Sequence, residues 1–526
     1  MLGTLRASGE RSKITEPVRR MRKLFLLAVF FHAATIVAAA DFYVDSIHYR
    51  ITSGISPYTV EVASPLPNNY KYSGEVVIPE TVTYDGIAYK VTAIGICSFA
   101  GARELTSVSI PGTVVAIDPM AFINCTGLKT VALPNSVRTI GADAFSGCWG
   151  LERLCIGDAL TKIGSCAFSY AKSLTHITVS GKNKHFKVVD NVLYSAKLDT
   201  LVLCPASREG AFVIPQKTSV VGLSAFSGCE KLTGICFHDK LLSIGDSAFM
   251  GCISLTEVQI PKSVRKIGNC SFGLCTSLVN FVMDGKNKRY TADNGVLYTK
   301  LKDTLVAYPI GRNDTAYIFP HTVRVVGNNA FLYSKITSVA LPNSVTTVGD
   351  NAFRSCSALV NVSLGQSLKV VGQSAFMFCE KMKMLVLPNT LNVIGERGFG
   401  RCKSLSDITI GDSVKVIGES AFSYCTNLVS VTLGEAVETV GDMAFCGSCG
   451  KLARLEFRGP KRPAVGLMAF YMPPDSDAVT VPLGSGKDNK YVPNAVVTQV
   501  VVPCGKAQEY TEYLLKWFDD IQENCE

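Results

Sequence analysis

Cysteine offers the most chemistry in this 526-residue chain, which contains nineteen of them. Nine share one setting, three residues after a phenylalanine: Cys125, Cys148, Cys229, Cys252, Cys275, Cys356, Cys379, Cys402 and Cys425. In an oxidising compartment such residues could form a set of disulfides. They could equally be a ladder of small, buried, apolar thiols. Equivalent thiols in stacked repeats point the same way, which suits disulfide geometry poorly, so the ladder is the favoured prediction.

Other reactive patterns are incomplete. Cys446-Gly-Ser-Cys449 has the spacing of a redox or metal-binding pair but has no companion pair. The stretch Leu483–Asp488 lacks the first glycine and the final hydroxyl residue of a phosphate-binding loop, and the six histidines include no pair four residues apart. We therefore predict no catalytic residues, no metal and no small-molecule cofactor. Cys504 and Cys525 could pair with each other, and their spacing leaves this open.

The cysteines belong to a repeat that occurs about fourteen times. A small residue precedes a phenylalanine, Leu-x-x-Val-x-Leu follows, and Val-x-x-Ile-Gly leads to the next phenylalanine. The repeat phenylalanines are Phe99, Phe122, Phe145, Phe168, Phe226, Phe249, Phe272, Phe331, Phe353, Phe376, Phe399, Phe422, Phe445 and Phe470. Most are 23 residues apart, and the two longer gaps equal one period plus an insertion of about 35 residues. Such a period is typical of a solenoid.

Residues 128–148 illustrate one turn of the expected coil. Val131 and Leu133 alternate with Thr or Ala, which predicts a short strand with its aliphatic side inward. Gly141 is expected to allow a tight bend before a helical or 3-10 turn that carries Phe145. Because one turn cannot close its own core, stacked turns must superpose their apolar residues, and the strands should form one long parallel sheet.

The repeat pattern predicts one elongated domain over residues 91–470. Residues 41–90 are strand-like and lack the repeat phenylalanine, so we expect an N-terminal β cap that covers the first open edge. Residues 471–526 should cap the other end. There, Val500–Pro503 is expected to be a last strand and Ala507–Ile521 a short amphipathic helix.

Two insertions, about 181–215 and 285–320, match each other at a constant offset of 104 residues. In each copy, Val-Leu-Tyr is followed by Leu-Val across a short polar stretch, which predicts a β-hairpin. Loops that leave a repeat scaffold often bind ligands. The alternative is that the two hairpins only pack on the flank, and the pattern leaves both open.

An export signal is expected near the start of the chain. Arg19, Arg20, Arg22 and Lys23 precede an apolar run and three alanines, so residues 21–40 have the pattern of a signal peptide cleaved after Ala40. Residues 1–20 are an upstream extension if translation begins at Met21. A membrane anchor is the alternative, although the run is marginal for spanning. The expected location is secreted or cell-surface, with the outer membrane or periplasm also open.

Net charge argues against nucleic-acid binding. The formal charge is +9, but residues 1–40 hold seven Lys and Arg and only two Glu. The remaining excess is weak and spread along the chain, unlike the dense basic stripe of a nucleic-acid binder.

The unit Ile-Gly-x-x-Ala-Phe-x-x-Cys-x-x-Leu-x-x-Val-x-Leu-Pro, repeated over about residues 80–470, resembles the BspA-like leucine-rich repeat family. That family comprises surface and secreted proteins of Bacteroidetes and some protists. The resemblance implies a leucine-rich repeat solenoid, a curved right-handed coil, with members linked to adhesion. Departures are Ala171 and Ser334 in place of the repeat cysteine and Asp118 in place of the glycine.

If the sheet lines the concave side, its outward positions are the candidate contact surface. We select seven of them as partner-binding candidates: Arg153, His176, Glu257, Asn280, Asn361, Asp407 and Arg454. A merely solvated sheet is the alternative. The leading hypothesis is a non-enzymatic protein-interaction scaffold that adheres to host extracellular matrix or to another bacterial surface protein. The second is a non-catalytic envelope accessory protein, related to carbohydrate.

Overall fold

Each 23-residue repeat forms one turn of a β-solenoid, as predicted, and the solenoid has about 17 turns. The computed structural model describes residues 41–64, 72–448, 451–470, 499–514 and 521–525. The predicted signal peptide and upstream extension lie outside these residues. Every turn has three sides: a longer strand, a two-residue strand, and a segment of turns that carries the repeat phenylalanine.

The longer strands, here called leucine strands, place their Leu and Val side chains in the core, and consecutive strands pair in parallel. They are β7 (Glu104–Ser109), β9 (Thr130–Ala132), β11 (Arg153–Ile156), β13 (His176–Val179), β17 (Gly210–Val213), β19 (Leu232–Cys236), β21 (Glu257–Ile260), β23 (Asn280–Met283), β27 (Ala316–Ile318), β29 (Ser338–Ala340), β31 (Asn361–Ser363), β34 (Asp407–Thr409), β36 (Ser430–Leu433) and β38 (Arg454–Phe457). At Met384 only an isolated bridge to Asn361 continues this side.

The two-residue strands, here called isoleucine strands, form a second parallel series. They are β8 (Ala116–Ile117), β10 (Thr139–Ile140), β12 (Lys162–Ile163), β18 (Val220–Val221), β20 (Ser243–Ile244), β22 (Lys266–Ile267), β28 (Val325–Val326), β30 (Thr347–Val348), β32 (Val370–Val371), β33 (Val393–Ile394), β35 (Val416–Ile417), β37 (Thr439–Val440) and β39 (Ala464–Val465). In place of one long sheet, the structure therefore has two series of parallel strands, and both are interrupted at the insertions. The leucine series is also interrupted between β19 and β21 and between β31 and β34.

The phenylalanine segment is not the helical or 3-10 turn that was expected. Its backbone bonds outward to the next layer: the N–H of Phe122 donates to the carbonyl oxygen of Ala144 at 2.7 Å, and that of Asn124 to Ser146 at 2.8 Å. Left-handed residues make this possible, since φ is 58° at Met120 and 59° at Asn124. The position two before the phenylalanine is left-handed in all fourteen repeats, and inter-layer bonds offset the strain.

The repeat phenylalanines stack face to face through the core. Ring centroids of neighbouring layers are 4.9 Å apart for Phe99 and Phe122 and 5.3 Å for Phe445 and Phe470, with ring planes 1° and 4° apart. This distance is close to the spacing of hydrogen-bonded strands. The rings and the backbone ladders are therefore compatible with a single layer spacing.

The glycine after the repeat isoleucine is required because there is no room for a side chain at that position. This corrects the prediction that Gly141 allows a tight bend. Gly141 does not adopt a left-handed conformation, but a Cβ there would lie 2.3 Å from the backbone nitrogen of Pro119 in the preceding layer. At Gly395 the corresponding distance to the carbonyl carbon of Gly372 would be 2.7 Å. At Gly141 and Gly395, glycine is therefore needed because two layers touch backbone to backbone.

The N-terminal region supplies the first strand of each series. Its strands are β1 (Asp41–Val44), β2 (Ile47–Ser53), β3 (Thr59–Val62), β4 (Ser73–Val77), β5 (Thr81–Tyr84) and β6 (Ile87–Ile94). Strand β6 pairs in parallel with β8, and β4 pairs in parallel with β7. On the other side of β6, β3, β2 and β1 extend the sheet, so that the series ends in an antiparallel meander.

At the other end, β40 (Gln499–Pro503) pairs in parallel with β38 and with β41 (Gln522–Asn524). Of the helix expected over Ala507–Ile521, the structure describes α1 over Ala507–Leu514, and residues 515–520 lie outside the described residues. Tyr510 on α1 is buried and its hydroxyl donates to the carbonyl oxygen of Gly459 at 3.1 Å. A disulfide between Cys504 and Cys525, whose Cα atoms are 4.6 Å apart, links the ends of β40 and β41.

Each insertion contains three strands. They are β14 (Phe186–Val189), β15 (Val192–Ser195) and β16 (Thr200–Leu203) in the first, and β24 (Tyr290–Asp293), β25 (Val296–Thr299) and β26 (Thr304–Ala307) in the second. The central strand is antiparallel to both neighbours, and the third strand pairs in parallel with the next isoleucine strand. Leu193 of β15 belongs to the core before the insertion, and Val192 and Tyr194 belong to the core after it. The insertions are joints between successive cores.

A buried asparagine anchors each joint. The Asn287 Nδ2 donates to the carbonyl oxygens of Pro261 at 2.9 Å and Val264 at 3.1 Å. Its Oδ1 accepts from the backbone N–H groups of Arg289 at 2.8 Å and Tyr290 at 2.9 Å. Asn183 repeats this arrangement in the first insertion. All four backbone groups would lose their partner if the amide were removed.

We expect Gly395→Ala to lower the free energy of unfolding by about 1–3 kcal/mol, because the new methyl group overlaps the backbone of the layer before it. Gly181→Ala is the matched control, since a Cβ there meets nothing within 4 Å. Thermal unfolding of both variants measures the difference. Equal melting temperatures of the two variants would contradict the prediction, because they would show that the layers at Gly395 can move apart without loss of stability.

Asn287→Ala should reduce the free energy of unfolding by about 3 kcal/mol, because it leaves buried backbone donors and acceptors unsatisfied. Asn135, whose Oδ1 accepts a single exposed bond from the backbone of Asp158, provides the comparison. Asn135→Ala should cost less than about 1 kcal/mol. Urea unfolding of the two variants tests this, and similar midpoints would contradict the anchoring role.

Candidate interaction surface

The structure places the seven candidate residues at outward positions of the leucine strands, or beside them in register. Arg153 pairs with His176, and Glu257 pairs with Asn280. Asn361 pairs with Ser338. Asp407 and Arg454 occupy the same row, each paired with Ser430 between them. Their partner-binding role stays a prediction.

The joints and the gap at Met384 divide this row. Arg153 and His176 belong to a five-stranded sheet that ends at β13, whereas Glu257 and Asn280 lie on the pair β21 and β23. Asn361 is on a third sheet, and Asp407 and Arg454 are on the last one. The seven residues are therefore spread along the solenoid and do not converge on one pocket, as suits an extended contact with a large partner.

Several of these side chains already have local partners. The Asn280 Nδ2 donates to Glu257 Oε2 at 2.7 Å, and the Ser406 hydroxyl donates to Asp407 Oδ2 at 2.7 Å. The His176 Nδ1 is 2.8 Å from the Thr175 hydroxyl. The polar groups are thus held in fixed orientations at the surface, which lowers the entropy lost on binding.

Arg454 is part of a charge cluster near the C-terminal end. Its guanidinium donates to Gln499 Oε1 at 2.7 Å and to Glu456 Oε2 at 3.2 Å, and Arg458 donates to Glu456 Oε1 at 3.0 Å. Burial alone would raise the pKa of Glu456, but the hydrogen bonds from Arg458 and Arg454 outweigh it and the pKa is lowered. Glu456 is therefore charged at neutral pH, and the cluster is an internally paired network.

The same face also carries exposed apolar residues that are not among the seven candidates chosen from the sequence. Ile318 is 90% exposed, Met384 76% and Val386 72%. Ile318 pairs with Ala340, which pairs with Ser363, and Met384 is bridged to Asn361 in the same row as Ser338. We call Ile318, Ala340, Met384 and Val386 the apolar patch. The sequence did contain a signal for this patch: Ile318 and Met384 occupy outward strand positions that hold mostly small or polar residues in the other repeats.

The repeat cysteines form the buried ladder that was predicted. All nine are free and fully buried. In eight of them the thiol donates to the carbonyl oxygen of the phenylalanine one repeat earlier, as Cys402 does to Phe376 at 3.2 Å. Cys229 follows an insertion and instead lies 3.6 Å from the carbonyl oxygen of Pro205. Each thiol therefore satisfies a backbone acceptor in the core.

Ser448 takes the thiol's place in the layer of Phe445. Its hydroxyl donates to the carbonyl oxygen of Phe422 and accepts from the N–H of Cys425 at 2.7 Å. Cys446 is buried and free, while Cys449 lies outside the described residues. Cys446-Gly-Ser-Cys449 thus supplies its layer with a serine hydroxyl at the repeat position.

Burial makes these thiols weak nucleophiles. It raises the pKa of Cys275, Cys356 and Cys425 to about 12 and that of Cys446 to about 11. Only the thiolate reacts readily, so a thiol with such a pKa is almost fully protonated at neutral pH. The buried, hydrogen-bonded thiols of the ladder therefore have a structural role.

Alkylation should separate the ladder from the surface thiols. We expect iodoacetamide at pH 8 to modify Cys236, which is exposed, within minutes, and to modify the nine ladder cysteines only after unfolding. Peptide mass spectrometry before and after addition of guanidinium measures both. Rapid native labelling of Cys402 would contradict the buried ladder.

Two searches of the described residues concern metals and membranes. One group of potential metal ligands brings Cys504, Glu523 and Cys525 together, but the two sulfurs are joined in the disulfide. Within the same part of the chain, no helix has the length and hydropathy needed to cross a bilayer.

Several solved structures are similar to the chain. A leucine-rich cell surface protein from Faecalibacterium prausnitzii is 28% identical, with a TM-score of 0.43, and the match covers 76% of this chain and 96% of that one. A leucine-rich repeat protein from Bacteroides ovatus is 25% identical, with a TM-score of 0.36 and coverage of 80% and 95%. The pneumococcal vaccine antigen PcpA is 18% identical, with a TM-score of 0.39 and coverage of 92% and 99%.

Comparison with curated proteins yields no match. The model of the BspA type leucine-rich repeat region matches residues 92–209, 210–306, 324–453 and 393–472. These segments contain the phenylalanine stack, the cysteine ladder, the first joint and most of the second, and they amount to well over half of the chain. The protein therefore belongs to the BspA-type leucine-rich repeat family.

Proposed function

We propose that the chain is a secreted or cell-surface scaffold that binds a protein partner through the outward face of its leucine strands. Family membership supports a protein-interaction repeat protein in general terms. The partner we infer is a host extracellular matrix protein or another bacterial surface protein. Export is supported by the signal-like pattern over residues 21–40.

The apolar patch is the observation that carries this proposal. Met384 and Val386 are exposed two residues apart on one segment, and large apolar side chains exposed together in this way commonly mark an interaction site. Ile318 lies three layers away, with Ala340 beside it and with Asn361 and Ser363 in the layer next to Met384. Polar residues surround them in the neighbouring strands, including Asn361 and Asp407. An apolar centre with a polar rim is the usual arrangement of a specific protein interface.

A carbohydrate-related accessory role in the cell envelope is the second candidate. A cleft at the second joint and the basic groove that adjoins it are the observation that favours it. They are lined by residues of the isoleucine strands, the phenylalanine segments and the insertion, so the two roles use different surfaces.

Binding of the full mature chain to an array of purified matrix and bacterial surface proteins tests the leading proposal. Against any partner that binds, Met384→Asp with Val386→Asp should weaken affinity at least tenfold, because burial of an apolar centre usually dominates binding energy. Charge reversal at Arg153, Glu257 and Asp407 should reduce affinity further, with a stronger effect at low salt.

Leu242→Asp is the matched control, since Leu242 is a partly exposed apolar residue beside an isoleucine strand. It should leave affinity unchanged. Full affinity in both the patch variant and the charge-reversal variant would rule out this face as the binding surface.

A further inference from the structure

The two insertions share one design, but the joints that they form differ. At the first joint the layers before and after the insertion touch directly. The N–H of Cys166 donates to the Ser224 hydroxyl at 3.2 Å, and Lys172 forms an ion pair with Glu230 at 2.7 Å. Tyr170 packs so closely over the next layers that a Cβ at Gly251 would lie 2.9 Å from its hydroxyl oxygen.

At the second joint the corresponding layers stand apart and enclose a cleft of about 340 Å³. Cys270 and Phe272 line it from the earlier layer, and Asn329 lines it from the later one. Tyr290 and Tyr308 of the insertion complete the wall. This volume lies within the range of pockets that hold small organic ligands.

Particular substitutions between the copies account for the opening. Ala307 stands where the first insertion has Leu203, a buried residue that fills the core before the joint. Leu274 stands where the first joint has Tyr170, the side chain that covers its neighbouring layers. Two smaller side chains leave space that the first copy fills, while the larger Tyr308, which stands where the first copy has Cys204, forms part of the cleft wall.

The lining suits a sugar ring. Asn269, Asn329 and Thr304 bring amide and hydroxyl groups to the cleft, and Phe272 brings an aromatic ring. The Tyr290 hydroxyl accepts from the N–H of Ile267 at 3.0 Å, which fixes its position and leaves its proton to donate. Alternating hydroxyl and C–H surfaces of a saccharide match such a mixture of polar groups and aromatic rings.

A second groove of about 370 Å³ adjoins the cleft and shares Tyr290 and Thr299 with it. Its rim carries four cations and one acidic residue. These are Arg265, Lys288, Arg289, Lys300 and Asp303. The Asp303 carboxylate accepts from the Thr299 hydroxyl. At the positions of the four cations the first joint has Thr161, Lys184, His185 and Ala196, so Arg265, Arg289 and Lys300 are particular to the second joint and Lys288 is shared.

We propose that the second joint binds an acidic saccharide, with the sugar ring in the cleft and its carboxylate or sulfate group over Arg265, Arg289 and Lys300. Charge-assisted bonds from guanidinium and ammonium groups recognise both anions. The site is formed by one joint and does not use the leucine-strand face. Its failure would leave the proposed protein-binding function untouched.

Isothermal titration of the full chain tests the proposal with four probes: trigalacturonate, a sulfated galactose oligosaccharide, uncharged galactotriose and inorganic sulfate. We expect at least one acidic oligosaccharide to bind at least tenfold more tightly than galactotriose and than sulfate. The stronger of the two acidic probes identifies carboxylate or sulfate as the preferred group.

Three variants install residues that the first joint already carries at the same positions, so each is compatible with the fold. Ala307→Leu should fill the cleft and weaken binding at least tenfold. Arg265→Thr and Lys300→Ala should each lower affinity for the acidic probe about threefold to tenfold and reduce its dependence on salt. Lys197→Ala, which removes a cation from the first hairpin, is the control and should change nothing.

Thermal unfolding identifies any variant that fails to fold. If Ala307→Leu does not fold, the affinities of Arg265→Thr and Lys300→Ala test the proposal. The proposal is overturned if no acidic saccharide binds, or if galactotriose or sulfate binds as tightly as the acidic oligosaccharides. It is also overturned if folded Ala307→Leu, Arg265→Thr and Lys300→Ala all retain full affinity.

Discussion

The distance between successive layers is the constraint on which the rest of this structure depends. Strand pairing sets it near 4.8 Å, and the stacked rings of Phe99 and Phe122 meet at 4.9 Å. At that distance there is no room for a Cβ at Gly395, and the thiol of Cys402 reaches the carbonyl oxygen of Phe376. The positions that recur most regularly in the repeat are therefore those that touch the neighbouring layer.

The left-handed residues follow from the same constraint. A helix would direct the N–H groups of the phenylalanine segment along its own axis, whereas left-handed residues such as Met120 and Asn124 direct them to the next layer. The strain at each site is small and is offset by a bond across the layer. The third side of the coil thereby becomes a backbone ladder without being a regular strand.

The candidate binding sites lie where the repeat is interrupted by an insertion or where it exposes apolar side chains. The insertions were expected either to bind or to pack on the flank, and their central strands are buried on both faces as joints between cores. Packing explains the first joint, yet the second has smaller residues at Ala307 and Leu274 and leaves a cleft. Similarly, Met384 and Val386 lie where the leucine strand is reduced to a single bridge.

The period, the solenoid, the ladder of thiols and the resemblance to the family follow from the sequence alone, because contacts in a repeat protein join equivalent residues of adjacent copies and so recur in the sequence. The fold in three dimensions was needed to show that two strand series replace one sheet, and that Gly141 is required because a Cβ there would overlap the layer before it. It alone separated a closed joint from an open one. Residues such as Cys166 and Ser224 meet 58 positions apart, and whether such layers close depends on how side chains fill a volume, which no periodic pattern records.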